Sequence, residues 1–186
     1  MSIGGWIAIG VVVLLIFWFF GMYNALVRLR NAVQESWGQI DVQLRRRHDL
    51  IPNLVETVKG YMSHESETLE KVIKARQMAV DASNLEERMA AENMLTGTLR
   101  SLMAVQENYP QLKADKHASE LMEELTSTEN KIAFSRQHYN DVVLSYNNKR
   151  ETVPSNIVAG MFNFEKSDYF KEEDEEVRAA PKVSFS

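Results

Sequence analysis

Four histidines, His48, His64, His117 and His138, are the side chains here best suited to hold a metal or move a proton, and their spacing suits neither task. None belongs to an HExxH ligand pair. None stands three residues after a glutamate, the spacing with which helical bundles build carboxylate-bridged metal sites. Asp115 and His117 are two residues apart, so on a helix they point to different faces. The chain has no cysteine nucleophile, no GxSxG elbow and no glycine-rich phosphate loop. The pattern favours a protein without a catalytic site, a metal or a cofactor.

Two other groups could recognise a partner. Arg45, Arg46 and Arg47 form the densest basic cluster, a candidate dock for anionic lipid, phosphate or an acidic protein. The same arginines could pair with Asp41, Asp49 or the acidic tail of a neighbouring chain, or simply form a solvated face. The second group lies between Pro154 and Phe164. Ile157, Val158, Met161, Phe162 and Phe164 are more apolar than a dangling tail would carry. They either fold back to finish a core or contact another subunit or the bilayer surface. Val183 and Phe185 raise the same question more weakly.

The elements that position these groups begin with an apolar run. Met1 to Val27 carry no charge, and Ile3 to Tyr23 are apolar throughout, close to the ~20 residues a helix needs to cross a bilayer core. Trp6 lies near one end and Trp18 and Tyr23 near the other, where interfacial aromatics belong. No Lys or Arg precedes the run, and Phe17 to Tyr23 is bulky where a cleavage site needs small residues, so an uncleaved anchor is expected. Gly4, Gly5, Ala8 and Gly10 offer small surfaces for close helix approach. Arg28 and Arg30 follow the span, which predicts an outside amino terminus and a cytoplasmic remainder. An upright helix would place Arg45 on the order of 33 Å beyond Tyr23. That is several Debye lengths of about 8 Å, so lipid contact there needs a tilted helix.

From Leu26 an apolar stripe continues through Leu29, Val33, Trp37, Ile40, Leu44, Ile51, Leu54, Val58 and Tyr61 at helical spacing, with one seven-residue step. It predicts one long helix that passes Pro52 with a kink and ends near Gly60 to His64, where glycine can cap. A second helix is predicted over 66–80. A third follows a Ser83–Glu86 capping box and carries Leu85, Met89, Leu95, Leu99, Leu102 and Val105. A fourth is predicted over 111–151, with Leu121, Leu125, Ile132, Tyr139, Val143 and Tyr146 inward, closing at Pro154. Short connections make neighbours antiparallel, and the helix lengths bring the end of the fourth back towards the bilayer. The expected fold is all-α: a transmembrane helix continuing into an elongated antiparallel four-helix bundle, with an irregular C-terminal segment. The expected division is an anchor over 1–23, a bundle over 24–153 and an apolar segment with an acidic tail over 154–186.

About 160 residues beyond the anchor suffice for one domain with a core. A charged share of 25% and few glycines and prolines suit a helical domain, and a net charge of -5 argues against nucleic acid as the main partner. The absence of cysteine is compatible with a reducing compartment.

The stretch from Tyr23 to Val72, YNALVRLRNAVQESWGQIDVQLRRRHDLIPNLVETVKGYMSHESETLEKV, closely resembles the LemA family of bacterial membrane proteins. ENYPQLKA (107–114), PSNIVAGMFNFEKSDYF (154–170) and the terminal PKVSF extend the resemblance over nearly the whole chain. It implies an N-terminal anchor with an extracellular terminus, a cytoplasmic antiparallel bundle in the bacterial inner membrane, and no established enzymatic activity or cofactor. It further implies an adaptor or scaffold role beside membrane metallopeptidases, with one relative acting in magnetosome membranes, and it assigns no catalytic residue. The function expected is a non-enzymatic scaffold whose partners are the lipid bilayer, further copies of itself and a membrane protein. The alternatives are a monomeric or dimeric adaptor for a membrane metalloprotease or signalling protein and, on weaker grounds, a metal-dependent hydrolase.

Overall fold

The apolar run has no breaker and stays in phase with the stripe that follows it. In the computed structural model, which describes residues 3–171, both belong to one helix, α1 (Ile3–Lys59). An 18-residue window within it has a mean hydropathy of 2.5, and none of that window is buried within the chain, as a lipid-facing segment requires.

Pro52 lies inside α1 without ending it. Proline has no N–H to give the carbonyl one turn back, that of His48. Arg76 Nε donates to this oxygen instead, at 2.7 Å. The orphan acceptor that normally breaks a helix at proline is thereby satisfied from a neighbouring helix. Replacing Arg76 with methionine should cost about 1 kcal/mol of stability in a denaturant titration. In a Pro52→Ala background the restored N–H should abolish that loss; an equal loss in both backgrounds would show that the bond does not serve this purpose.

The helix stops at Lys59, but Gly60 is not in the left-handed conformation that a glycine cap uses. Tyr61 and Met62 both donate to the carbonyl of Val58, and the fully buried Met62 fixes the turn. A single 3-10 turn at Ser63–Glu65 leads into α2 (Ser66–Asp81), which buries Leu69, Val72, Ala75 and Ala79. For α3 (Leu85–Gln106) the cap is one residue later than expected. Asn84 Oδ1 accepts from the Glu87 N–H at 2.9 Å, and Glu87 reaches back to both the N–H and hydroxyl of Ser83. Leu85, the first apolar residue of α3, is exposed.

The expected fourth helix is two: α4 (Pro110–Ala114) and α5 (Lys116–Glu151). Asp115 breaks them because its backbone turns extended and its carboxylate caps α5, accepting from Ala118 N at 2.9 Å and from the Tyr61 hydroxyl at 2.8 Å. Beyond the cis Val153–Pro154 bond, Ser155–Met161 form a short helix, α6, so the irregular part of the C-terminal segment begins only after it. No strand occurs among the described residues. The acidic run beyond Lys171, with Val183 and Phe185, lies outside them.

The described chain forms two compact units. One combines residues 43–132 with 170–171. Its core is a continuous cluster that includes Ile51, Leu54, Val58, Val72, Leu95, Leu99, Leu102, Leu112 and Leu125, with α2 and α3 packed as a hairpin. The other combines residues 3–42 with 133–169 and buries Met22, Leu26, Val33, Ile40, Tyr139, Val143, Tyr146, Val158 and Phe164.

Candidate functional site

In the unit of residues 3–42 and 133–169, burial of α1 starts within the last turn of the apolar run. Phe19 is half-buried and Met22 buried, whereas Phe17, Trp18 and Phe20 are exposed. What covers this turn is the C-terminal segment. The Phe162 ring lies 4.7 Å from that of Tyr23 and 6.2 Å from that of Phe19, centroid to centroid, and Phe164 meets Tyr23 edge-on at 5.8 Å. Arg30 places its guanidinium 5.2 Å from the centre of the Phe164 ring. The chain thus returns to the end of the apolar span.

Local chemistry explains the return. Asn163 takes a left-handed conformation, φ 51°, which asparagine tolerates better than most residues. Its N–H bonds the carbonyl of Gly160 and the Phe164 N–H bonds that of Ala159, the paired bonds of a Schellman ending. That turn sends Phe164 into the core, and residues 164–168 then run extended along α5. Their backbone groups are taken up by α5 side chains. Arg150 Nε donates to Phe164 O at 2.7 Å, Tyr146 to Glu165 O at 2.7 Å and Tyr139 to Asp168 O at 2.9 Å. Asn147 bonds both the N–H and the carbonyl of Ser167. Burial pushes the Tyr139 and Tyr146 hydroxyls above their ordinary pKa, so they remain donors at neutral pH.

The five C-terminal candidates therefore divide. Val158 and Phe164 are buried and complete the core, which withdraws them as contacts for an outside partner. Ile157, Met161 and Phe162 remain 61%, 65% and 48% exposed. Beside them a surface depression of about 540 Å³ is lined by Arg150, Asn156, Asn163, Glu151 and Glu165. Its two carboxylates oppose the single guanidinium, so it has no charge bias towards an anion. Of the small residues in the span, Gly4, Ala8 and Gly10 are exposed and Gly5 is half-buried. At about 100° per residue, Gly4 and Ala8 share a face while Gly10 lies on the far side, so the four do not form one stripe.

The arginine cluster also divides, in the unit of residues 43–132. Arg45 is exposed, and Arg46, half-exposed, pairs with Glu124 at 2.7 Å. Arg47 is fully buried, which removes it as a surface dock. Its Nη1 donates to Thr96 Oγ1 at 2.8 Å and Glu129 Oε1 at 2.7 Å; its Nη2 bonds the carboxylate and the backbone carbonyl of Glu92. His48 Nε2 lies 3.0 Å from Glu92 Oε1, without the alignment of a hydrogen bond. A cation this deep persists only with partners of opposite charge, and here two carboxylates supply them.

Burial pushes the Glu92 carboxyl up, but the His48 contact and the Arg47 charge together outweigh it and hold the group below its ordinary value of 4.5. A depressed carboxylate pKa contributes stability that is full above the unfolded value and lost as pH falls through the folded one. The denaturant midpoint should therefore fall below about pH 4.5 with a contribution from this residue. Glu92→Gln should lower stability at neutral pH and flatten that acid limb. Parallel pH profiles for the two proteins would contradict the assignment.

The chain matches the LemA family over residues 36–185. Among curated relatives, Protein LemA of Metamycoplasma hominis is 29% identical over 147 residues, 77% of this chain and 66% of the relative. Magnetosome protein MamQ 2 of Paramagnetospirillum magneticum is 26% identical over 176 residues, 81% of this chain and 65% of the relative. Magnetosome protein MamQ of Magnetospirillum gryphiswaldense is 24% identical with the same coverage. The chain thus spans slightly less than two thirds of the length of these relatives. Its unburied apolar helix and these relatives together mark it as a membrane-associated protein. With the match extending well beyond half its length, the chain belongs to the LemA family.

Proposed function

We propose that this protein is a non-enzymatic, membrane-anchored scaffold that self-associates through its span and organises partners at the inner face of a bacterial membrane. The observation that carries this reading is the continuity of α1. The span passes without a linker into Leu26, Val33 and Ile40, which are core residues of the unit that follows. A surface built on such a helix is held close to the bilayer, where confinement raises the effective concentration of neighbours and lets weak contacts add. Arg28 and Arg30 support a cytoplasmic position for that unit. The similarity to magnetosome proteins supports a role in a membrane assembly rather than in substrate turnover.

The natural absence of cysteine makes the test direct. Full-length protein carrying Ala8→Cys, on the face shared with Gly4, is reconstituted in vesicles and oxidised beside a Val13→Cys variant on the opposite face. A disulfide-linked dimer that forms mainly through position 8 is expected. Equal or absent cross-linking at both positions would remove the span as the route of self-association.

A further inference from the structure

We infer that α6 is a second membrane contact, an interfacial foot that rests its Ile157, Met161 and Phe162 side chains in the headgroup and upper acyl region beside the span. The inference rests on the reading of residues 3–23 as a transmembrane span and deepens it. The first observation is position. Phe162 packs on Phe19 and Tyr23, which belong to the last turn of the apolar run. Residues at that level along the span meet the membrane–water interface, the zone that takes aromatic and aliphatic side chains at the edge of a polar helix.

The second observation is the division of α6 into two faces. Ser155, Val158 and Ala159 are buried against their own unit, whereas Ile157 and Met161, one turn apart, stand 61% and 65% exposed and run directly into Phe162. Val153, in the turn that leads into α6, is 73% exposed. The third is fixation. The Schellman ending at Asn163 and the bonds from Ser155 Oγ to the Lys149 and Thr152 carbonyls hold both ends of α6, so this apolar edge is present before any contact is made. Continuity with the apolar span selects lipid as the occupant over a second copy of the chain. Exposed Arg28, between the span and the polar part of α1, suits the same headgroup layer. A foot beside a single span would fix the rotation and tilt of the unit above the bilayer, which one helix alone leaves free.

The test uses the full chain with single cysteines at Ile157, Met161, Leu14 or Val42, each labelled with an environment-sensitive fluorophore. The proteins are reconstituted in phosphatidylethanolamine–phosphatidylglycerol vesicles, with spin labels in either the upper or the deep acyl region. The Leu14 label should be quenched most by the deep spin label. The Ile157 and Met161 labels should be quenched mainly by the shallow one, by about twofold more than the Val42 label, which lies on the order of 28 Å beyond Tyr23 along α1. Quenching at Leu14 with none above the Val42 level at 157 and 161 overturns the foot and leaves the span intact. No quenching at Leu14 overturns the span, and the foot with it. A blue shift at 157 and 161 without lipid quenching identifies a protein neighbour and overturns the lipid assignment.

Discussion

Replacing Arg47 with alanine should destabilise the unit of residues 43–132 by about 3–5 kcal/mol, the largest effect expected from any single substitution in this chain. The cost does not arise because an ion pair is strongly stabilising; desolvating both charges offsets most of their attraction. It arises because the change strands the Glu92 side chain, fully buried, and leaves Glu129 and Thr96 without the donor that both use. Chemical denaturation of the full chain in mild detergent, followed by circular dichroism, measures it. Removing the whole network, with Arg47→Met, Glu92→Leu and Glu129→Leu together, should cost much less than Arg47→Ala alone, because no unpaired charge is left. A loss below about 1 kcal/mol for the single change would place Arg47 at the surface after all.

Asn147→Ala should release the extended segment that follows α6. The carboxamide bonds Ser167 twice, and its loss leaves two backbone groups of a half-buried residue without partners, at about 1–3 kcal/mol. At a factor of ten per ~1.4 kcal/mol, the open population rises about 5- to 140-fold. Limited trypsin digestion at Lys166 reads that population when reclosing is fast relative to cleavage. Cleavage there should accelerate by the same factor, while sites in the unit of residues 43–132 keep their rate. An unchanged rate at Lys166 would mean that Tyr146 and Arg150 hold the segment without help.

The helices and most inward positions were legible in the sequence because apolar spacing encodes them directly. Less legible were the gaps in those stripes, and the buried polar network lies in the gaps. The seven-residue step from Leu44 to Ile51 holds Arg47 and His48, the step from Met89 to Leu95 holds Glu92, and that from Leu125 to Ile132 holds Thr128 and Glu129. Each is a polar residue at an inward helical position. A hydrophobic pattern marks such a site as missing apolar surface and does not reveal that a complementary charge waits on the facing helix. The sequence therefore presented Arg45, Arg46 and Arg47 as one cluster, although helical geometry sends the third inward. The C-terminal segment was ambiguous for another reason. Its apolar residues alternate between core and surface over a single short helix, and only the turn at Asn163 decides which side chains face which way. The break at Asp115 was hidden because aspartate there acts as a cap, a role set by local hydrogen bonds.

Self-assembly through the anchor is tested most directly by the mass of the full-length protein in lipid nanodiscs or mild detergent, measured beside a variant lacking residues 1–23. A defined oligomer for the full chain and a smaller species for the shortened one are expected. A monomer in both would contradict it.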